Sequence, residues 1–100
     1  MVPSLSRGYP FVYILRLKSD ALYVGCSTDV ETRFQDHMKG LACRTTQIDP
    51  PVELLLIEIQ SDFPAARKRE AQIKKWSRAK KLALIAGDFD ELRRLSGSNE

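Results

Sequence analysis

The 100-residue sequence predicts a small α+β domain: a three-stranded antiparallel sheet flanked by helices, in the order β-β-α-β-α-α. Three observations predict it. Two β-branched and aromatic runs, residues 11–16 and 21–25, are joined by only Leu17-Lys18-Ser19-Asp20. A third run, Val52 to Ile59, is almost wholly apolar. The segments around these runs carry helical spacing and helix-capping residues.

Strands joined by so short a polar connection are most simply an antiparallel hairpin, which brings Tyr13 and Tyr23 onto neighbouring strands. Thr28-Asp29-Val30-Glu31 then reads as a capping box, in which hydroxyl and carboxylate satisfy each other's backbone amides. Val30, Phe34 and Met38 follow at helical spacing, and Gly40 is a natural stop. Arg33 and His37 therefore stand one turn apart on one face of this helix. Residues 41–51 read as a loop ending in Asp49-Pro50-Pro51. Val52–Ile59 reads as the third strand, and its apolar content places it at the sheet centre. Asp62 and Pro64 open a long helix whose stripe is Ala66, Glu70, Ile73 and Ser77, with Trp76 beside it. Lys80 to Ala86 reads as a further helix stopped by Gly87, and Asp88 to Leu95 as a last short one. Residues 1–9 form a loose lead-in, 10–95 the single domain and 96–100 a frayed tail.

With 43% hydrophobic and 29% charged residues, the chain is globular rather than disordered. No apolar run approaches the ~20 residues that span a bilayer, and the N-terminal stretch lacks the apolar core of a secretory leader. Cys26 and Cys43 have no Cys or His at ligand spacing, so they read as two reduced thiols of a cytoplasmic protein, with neither a zinc site nor a disulfide-linked partner. The charge is uneven. Residues 65–86 hold Arg67, Lys68, Arg69, Lys74, Lys75, Arg78, Lys80 and Lys81 against Glu70 alone. That is +7 in a chain of net +3, leaving −4 on the rest. A concentrated basic segment favours a polyanionic partner, because phosphates bind it with release of counterions.

Glu70 is a lone acid on a stripe that faces inward, where a carboxylate needs a cation. Arg33, Arg67 or Lys74 can pair with it; otherwise it can hold Mg²⁺, which keeps several waters and completes its shell with substrate phosphate. Arg33 has the planar fork that grips phosphate, and His37, the only histidine, can position water or move a proton. A phenol, with an ordinary pKa near 10, becomes a base only beside cations. Gly25 leaves room for close approach of backbone or phosphate at the end of the second strand.

In combination these residues resemble the GIY-YIG nuclease family over about residues 10–86. Tyr13 stands at the first motif tyrosine, although Phe11 and Val12 replace the glycine and isoleucine before it. Tyr23-Val24-Gly25 is close to the second triplet, and Arg33, His37 and Glu70 match the helix arginine, the following His or Tyr and the metal-binding glutamate. The run Arg69 to Arg78 looks like the small single-domain bacterial branch. The resemblance implies one Mg²⁺ or Mn²⁺ on Glu70, water activated by a tyrosine (Tyr13 slightly preferred over Tyr23) and Arg33 on the charged phosphorus. It implies an endonuclease of DNA acting on nicked, branched or damaged structures as in DNA repair, with RNA as another partner to be bound. The chain has no room for an appended DNA-binding domain, so low sequence specificity is the expectation. One departure bears on turnover rather than fold: many members carry an asparagine after the glutamate, but Ser77 to Ile85 has none, and Asn99 is the chain's only one. The rivals are a non-catalytic nucleic-acid-binding module of the same fold and a domain whose basic helix meets an acidic protein.

Overall fold

The computed structural model describes residues 9–27 and 48–97. Strands β1 (Phe11–Leu17), β2 (Leu22–Ser27) and β3 (Pro51–Ile59) precede helices α1 (Phe63–Lys74), α2 (Arg78–Ala86) and α3 (Phe89–Gly97). The sheet is antiparallel throughout, in the order β2-β1-β3. The expected fold class and hairpin are present. The capping box Thr28–Glu31, the helix after it, residues 1–8 of the lead-in and 98–100 of the tail lie outside the described residues, whereas Ser96 and Gly97, expected in the frayed tail, continue α3.

The central strand is β1, not β3. β1 is buried at six of its seven positions, whereas β3 exposes Val52, Glu53 and Ile59. β3 also slips register twice against β1, once between Ile14 and Leu15 and again between Arg16 and Leu17. Such bulges belong on an edge, where they blunt pairing with another chain. Hydropathy misplaced the strand because β3 is apolar even at positions that face solvent.

Side chains of β1 alternate between two buried layers. Val12 and Ile14 join Val24 of β2, Ala66 and Ile73 of α1 and Leu84 of α2, with Leu92 of α3 packed against them. Phe11, Tyr13, Leu15 and Leu17 form the other layer, with Tyr23, Leu54 and Ile57 against it. All three described helices therefore contribute to the even-numbered face of β1.

Local chemistry sets the helix ends. The Asp62 carboxylate accepts from the Ala65 amide at 2.8 Å, with proline in the first turn. The expected stripe is cut before Ser77, because α1 ends at Lys74 and the Ser77 hydroxyl instead caps α2, accepting from the Lys80 amide at 3.2 Å. Gly87 closes α2 with φ of 72°, a left-handed conformation that favours glycine.

Gly25 lies inside β2, not at its end, and pairs with Tyr13. The Tyr13 hydroxyl and Cζ occupy the space that a Cβ at position 25 would need. Gly25→Ala is expected to cost about 1–3 kcal/mol by overpacking, measured by chemical denaturation. In a Tyr13→Ala background the same change should cost far less. Equal costs in both backgrounds would show that the ring is not what excludes the side chain.

Candidate functional site

Glu70 lies between Ala66 and Ile73, the buried residues of α1, and its side chain is 19% exposed. The inward reading of its stripe holds here. Oε1 accepts from Cys26 Sγ at 3.2 Å, and Oε2 stands 3.0 Å from Lys74 Nζ. Of the three cations named from sequence, Lys74 is thus the one that pairs with it among the described residues. Cys26 projects to the helix side of β2 because it pairs with Val12. Burial first, then the hydrogen bond and charge of Glu70, push its thiol from 9.0 up to about 11, against smaller opposing effects of Arg67 and Lys74. At neutral pH Cys26 is a neutral donor.

Tyr23 pairs with Leu15, and Tyr13 with Gly25. Directly paired residues share a face, so both tyrosines lie on the sheet face opposite Glu70. Tyr13 is only 2% exposed and its ring tilts against Phe11, whereas Tyr23 is half-buried on an edge strand. Glu70 and the phenols consequently flank the β2 backbone from its two sides, at neighbouring residues Gly25 and Cys26. Arg33 and His37 lie outside the described residues.

The basic run divides by what each side chain touches. Arg69 makes two bonds to the Glu58 carboxylate, at 2.6 and 3.1 Å, and one to Gln72. Its guanidinium also stands 5.1 Å from the Trp76 ring centroid, where Lys80 Nζ approaches to 4.7 Å. Arg78 holds the hairpin turn through the Asp20 carbonyl at 2.8 Å and its carboxylate at 3.0 Å. Arg67, Lys68 and Lys75 are exposed, and together with Lys81 they make no ion pair among the described residues. Arg67, Glu70 and Lys74 follow one another at helical spacing along one face of α1.

Sequence reasoning passed over Cys26 as an inert thiol. The available signal was alternation: Leu22, Val24 and Cys26 share a strand face, and Val24 is core. No group of three or more His, Cys, Asp or Glu that could enclose a metal occurs among the described residues. No described helix is long and apolar enough to cross a membrane.

Residues 9–83 match the family model of the GIY-YIG catalytic domain. A UPF0213 protein of Syntrophus aciditrophicus is 42% identical over 82 residues, which cover 81% of this chain and 92% of that protein. One from Staphylococcus saprophyticus is 40% identical over 76 residues, 76% of this chain and 93% of its own. The solution NMR structure of a UPF0213 protein from Bacillus halodurans is similar with a TM-score of 0.51 at 30% identity, covering 87% of this chain and 96% of that one.

Two outcomes follow from this geometry. Arg69→Ala should lower stability by about 1–3 kcal/mol, since it takes the cation from a half-buried carboxylate and leaves it only the Gln60 amide on Oε1, while Lys68→Ala should stay within about 0.5 kcal/mol; equal thermal shifts would contradict the division. Alkylation of Cys26, followed by mass spectrometry, should rise with a midpoint near pH 11, and Glu70→Gln should move it down toward 9.0. The folded thiol keeps its proton to higher pH than the unfolded one, so the stability it supports is lost as pH rises from about 9 toward 11. A midpoint that ignores Glu70→Gln would rule out the thiol–carboxylate bond.

Proposed function

The chain belongs to the family of the GIY-YIG catalytic domain, and on that premise we propose that it is a divalent-cation-dependent endonuclease hydrolysing DNA phosphodiesters. The observation that carries this reading is Glu70: a largely buried carboxylate at the sheet edge, already holding a cationic group and flanked on its helix by Arg67 and Lys74.

The residues present fit one hard cation, Mg²⁺ or Mn²⁺. A single carboxylate suits an ion that keeps waters and borrows phosphate oxygens. No group of three or more His, Cys, Asp or Glu among the described residues could enclose zinc. When bound, the cation supplies neutralisation of phosphate charge.

The chain's own side chains do the rest. Arg67, Lys68, Lys75 and Lys81 draw in the polyanion, since among the described residues no carboxylate holds them. Exposure favours Tyr23 over Tyr13 as the phenol that meets water, because Tyr13 is sealed over Gly25. Arg33 and His37 keep the roles that the resemblance implies, phosphate stabilisation and proton transfer. A DNA backbone bent or opened at a nick, branch or lesion reaches around the β2 edge more easily than a straight duplex. RNA presents the same phosphates.

One observation favours a second reading. The stretch Ser77 to Ile85 lacks the family asparagine, which suits a nucleic-acid-binding module without turnover.

Nicking of supercoiled plasmid and cleavage of branched DNA with Mg²⁺ or Mn²⁺ separate the readings. The wild type should cut, and Glu70→Gln, purified in parallel, should lose at least ~100-fold in rate while binding DNA normally. Equal cutting by both proteins would remove Glu70 from its role. Salt-sensitive binding without cutting would make the chain the non-catalytic module.

A further inference from the structure

The two oxygens of Glu70 are held by partners of different kinds. Oε1 meets the Cys26 thiol, which is fixed in β2 and packed against the helix-side core. Oε2 meets Lys74, whose side chain is 52% exposed against 19% for Glu70. A lysine four residues along a helix on a flexible, solvent-facing stem makes a weak, exchangeable pair. A thiol anchored from inside the fold does not exchange with solvent in that way. The carboxylate thus has one settled oxygen and one lent to a mobile cation.

Resting on the reading of Glu70 as the metal ligand, we propose that Lys74 is the resident counter-ion of that seat. Its ammonium holds Oε2 in the metal-free protein and leaves when a divalent cation binds. Cys26 keeps Oε1, so the carboxylate does not turn away during the exchange. The released ammonium remains on the face of α1 that carries Arg67, where it is available to a substrate phosphate. Cation and phosphate then assist each other: the cation liberates a phosphate ligand, and phosphate stabilises the liberated lysine. Lys74 and Cys26 are positioning residues in this scheme.

Lysine-selective ¹³Cε labelling reads Lys74 directly, with Lys74→Arg to assign its resonance. Backbone amide shifts of residues 69–71 report Mg²⁺ arriving at Glu70. Without metal, Lys74 should be more ordered than exposed Lys68. Saturating Mg²⁺ should bring Lys74 to the Lys68 level over the same concentrations that shift the amides. Glu70→Gln should show a mobile Lys74 throughout and no response to Mg²⁺. Cys26→Ala should weaken Mg²⁺ binding about tenfold, whereas Cys26→Ser, which keeps a donor, should not. Amide shifts with an unchanged Lys74 would overturn the exchange and leave Glu70 as the ligand. Equal Mg²⁺ affinity in wild type and Cys26→Ala would overturn the part assigned to the thiol. No Mg²⁺-dependent shift near Glu70 would overturn the metal reading, and the exchange with it.

Discussion

Much of this domain depends on one cross-strand contact, the Tyr13 ring lying over Gly25. Side chains of a strand alternate between faces, so a slip of one residue would send the β2 side chains, Tyr23 and Cys26 among them, to the wrong side. The glycine admits the ring at one register and a longer side chain would expel it. With that register set, Val12, Ile14, Val24 and Cys26 turn toward the helices, while Tyr13, Leu15 and Tyr23 turn away. Cys26 meets Glu70 for this reason.

The same alternation makes the candidate site two-sided. Glu70 and Tyr23 approach an edge strand from opposite faces, so a reacting group touching both must sit at the rim of the sheet. A polymer backbone, whose phosphates project from an accessible chain, reaches such a rim. The proposed substrate class thus fits the topology independently of the charge count.

The charge count alone overstates the interface. Arg69, Arg78 and Lys80 lie in the basic run, yet they hold Glu58, Asp20 and the Trp76 ring. These contacts tie α1 to β3, the start of α2 to the hairpin turn, and α2 to the link that follows α1. Side chains committed to the fold cannot also follow a phosphate backbone without releasing those partners. From sequence the eight basic residues look equivalent, because charge is visible there and partners are not. Element type was legible for a related reason: capping residues such as Asp62, apolar spacing and the short hairpin link act over a few residues. The centre of the sheet was not, since β3 is as apolar as a buried strand while lying at an edge, and hydropathy does not count neighbours. Ser77 belonged by spacing to one helix and by hydroxyl chemistry to the cap of the next, and the cap prevailed. Glu70 was read as an inward acid needing a cation, and it is one; its bond to Cys26 spans 44 residues and follows only from register and helix docking together.

Glu70 also frames the choice between an enzyme and a binding module of this fold. One partner on each oxygen leaves lone pairs free, so what opposes a metal beside Glu70 is the positive charge of the ammonium on Oε2. The thiol is held by the core, so the resistance to a metal comes from Lys74. If the lysine exchanges, the seat opens and a missing asparagine slows turnover without abolishing the metal site. If it stays and no cation settles beside Glu70, the pair is a permanent ion pair on a basic helix, and the domain holds nucleic acid by charge alone. The two readings share every strand and helix, and they part at one weak, solvent-facing contact.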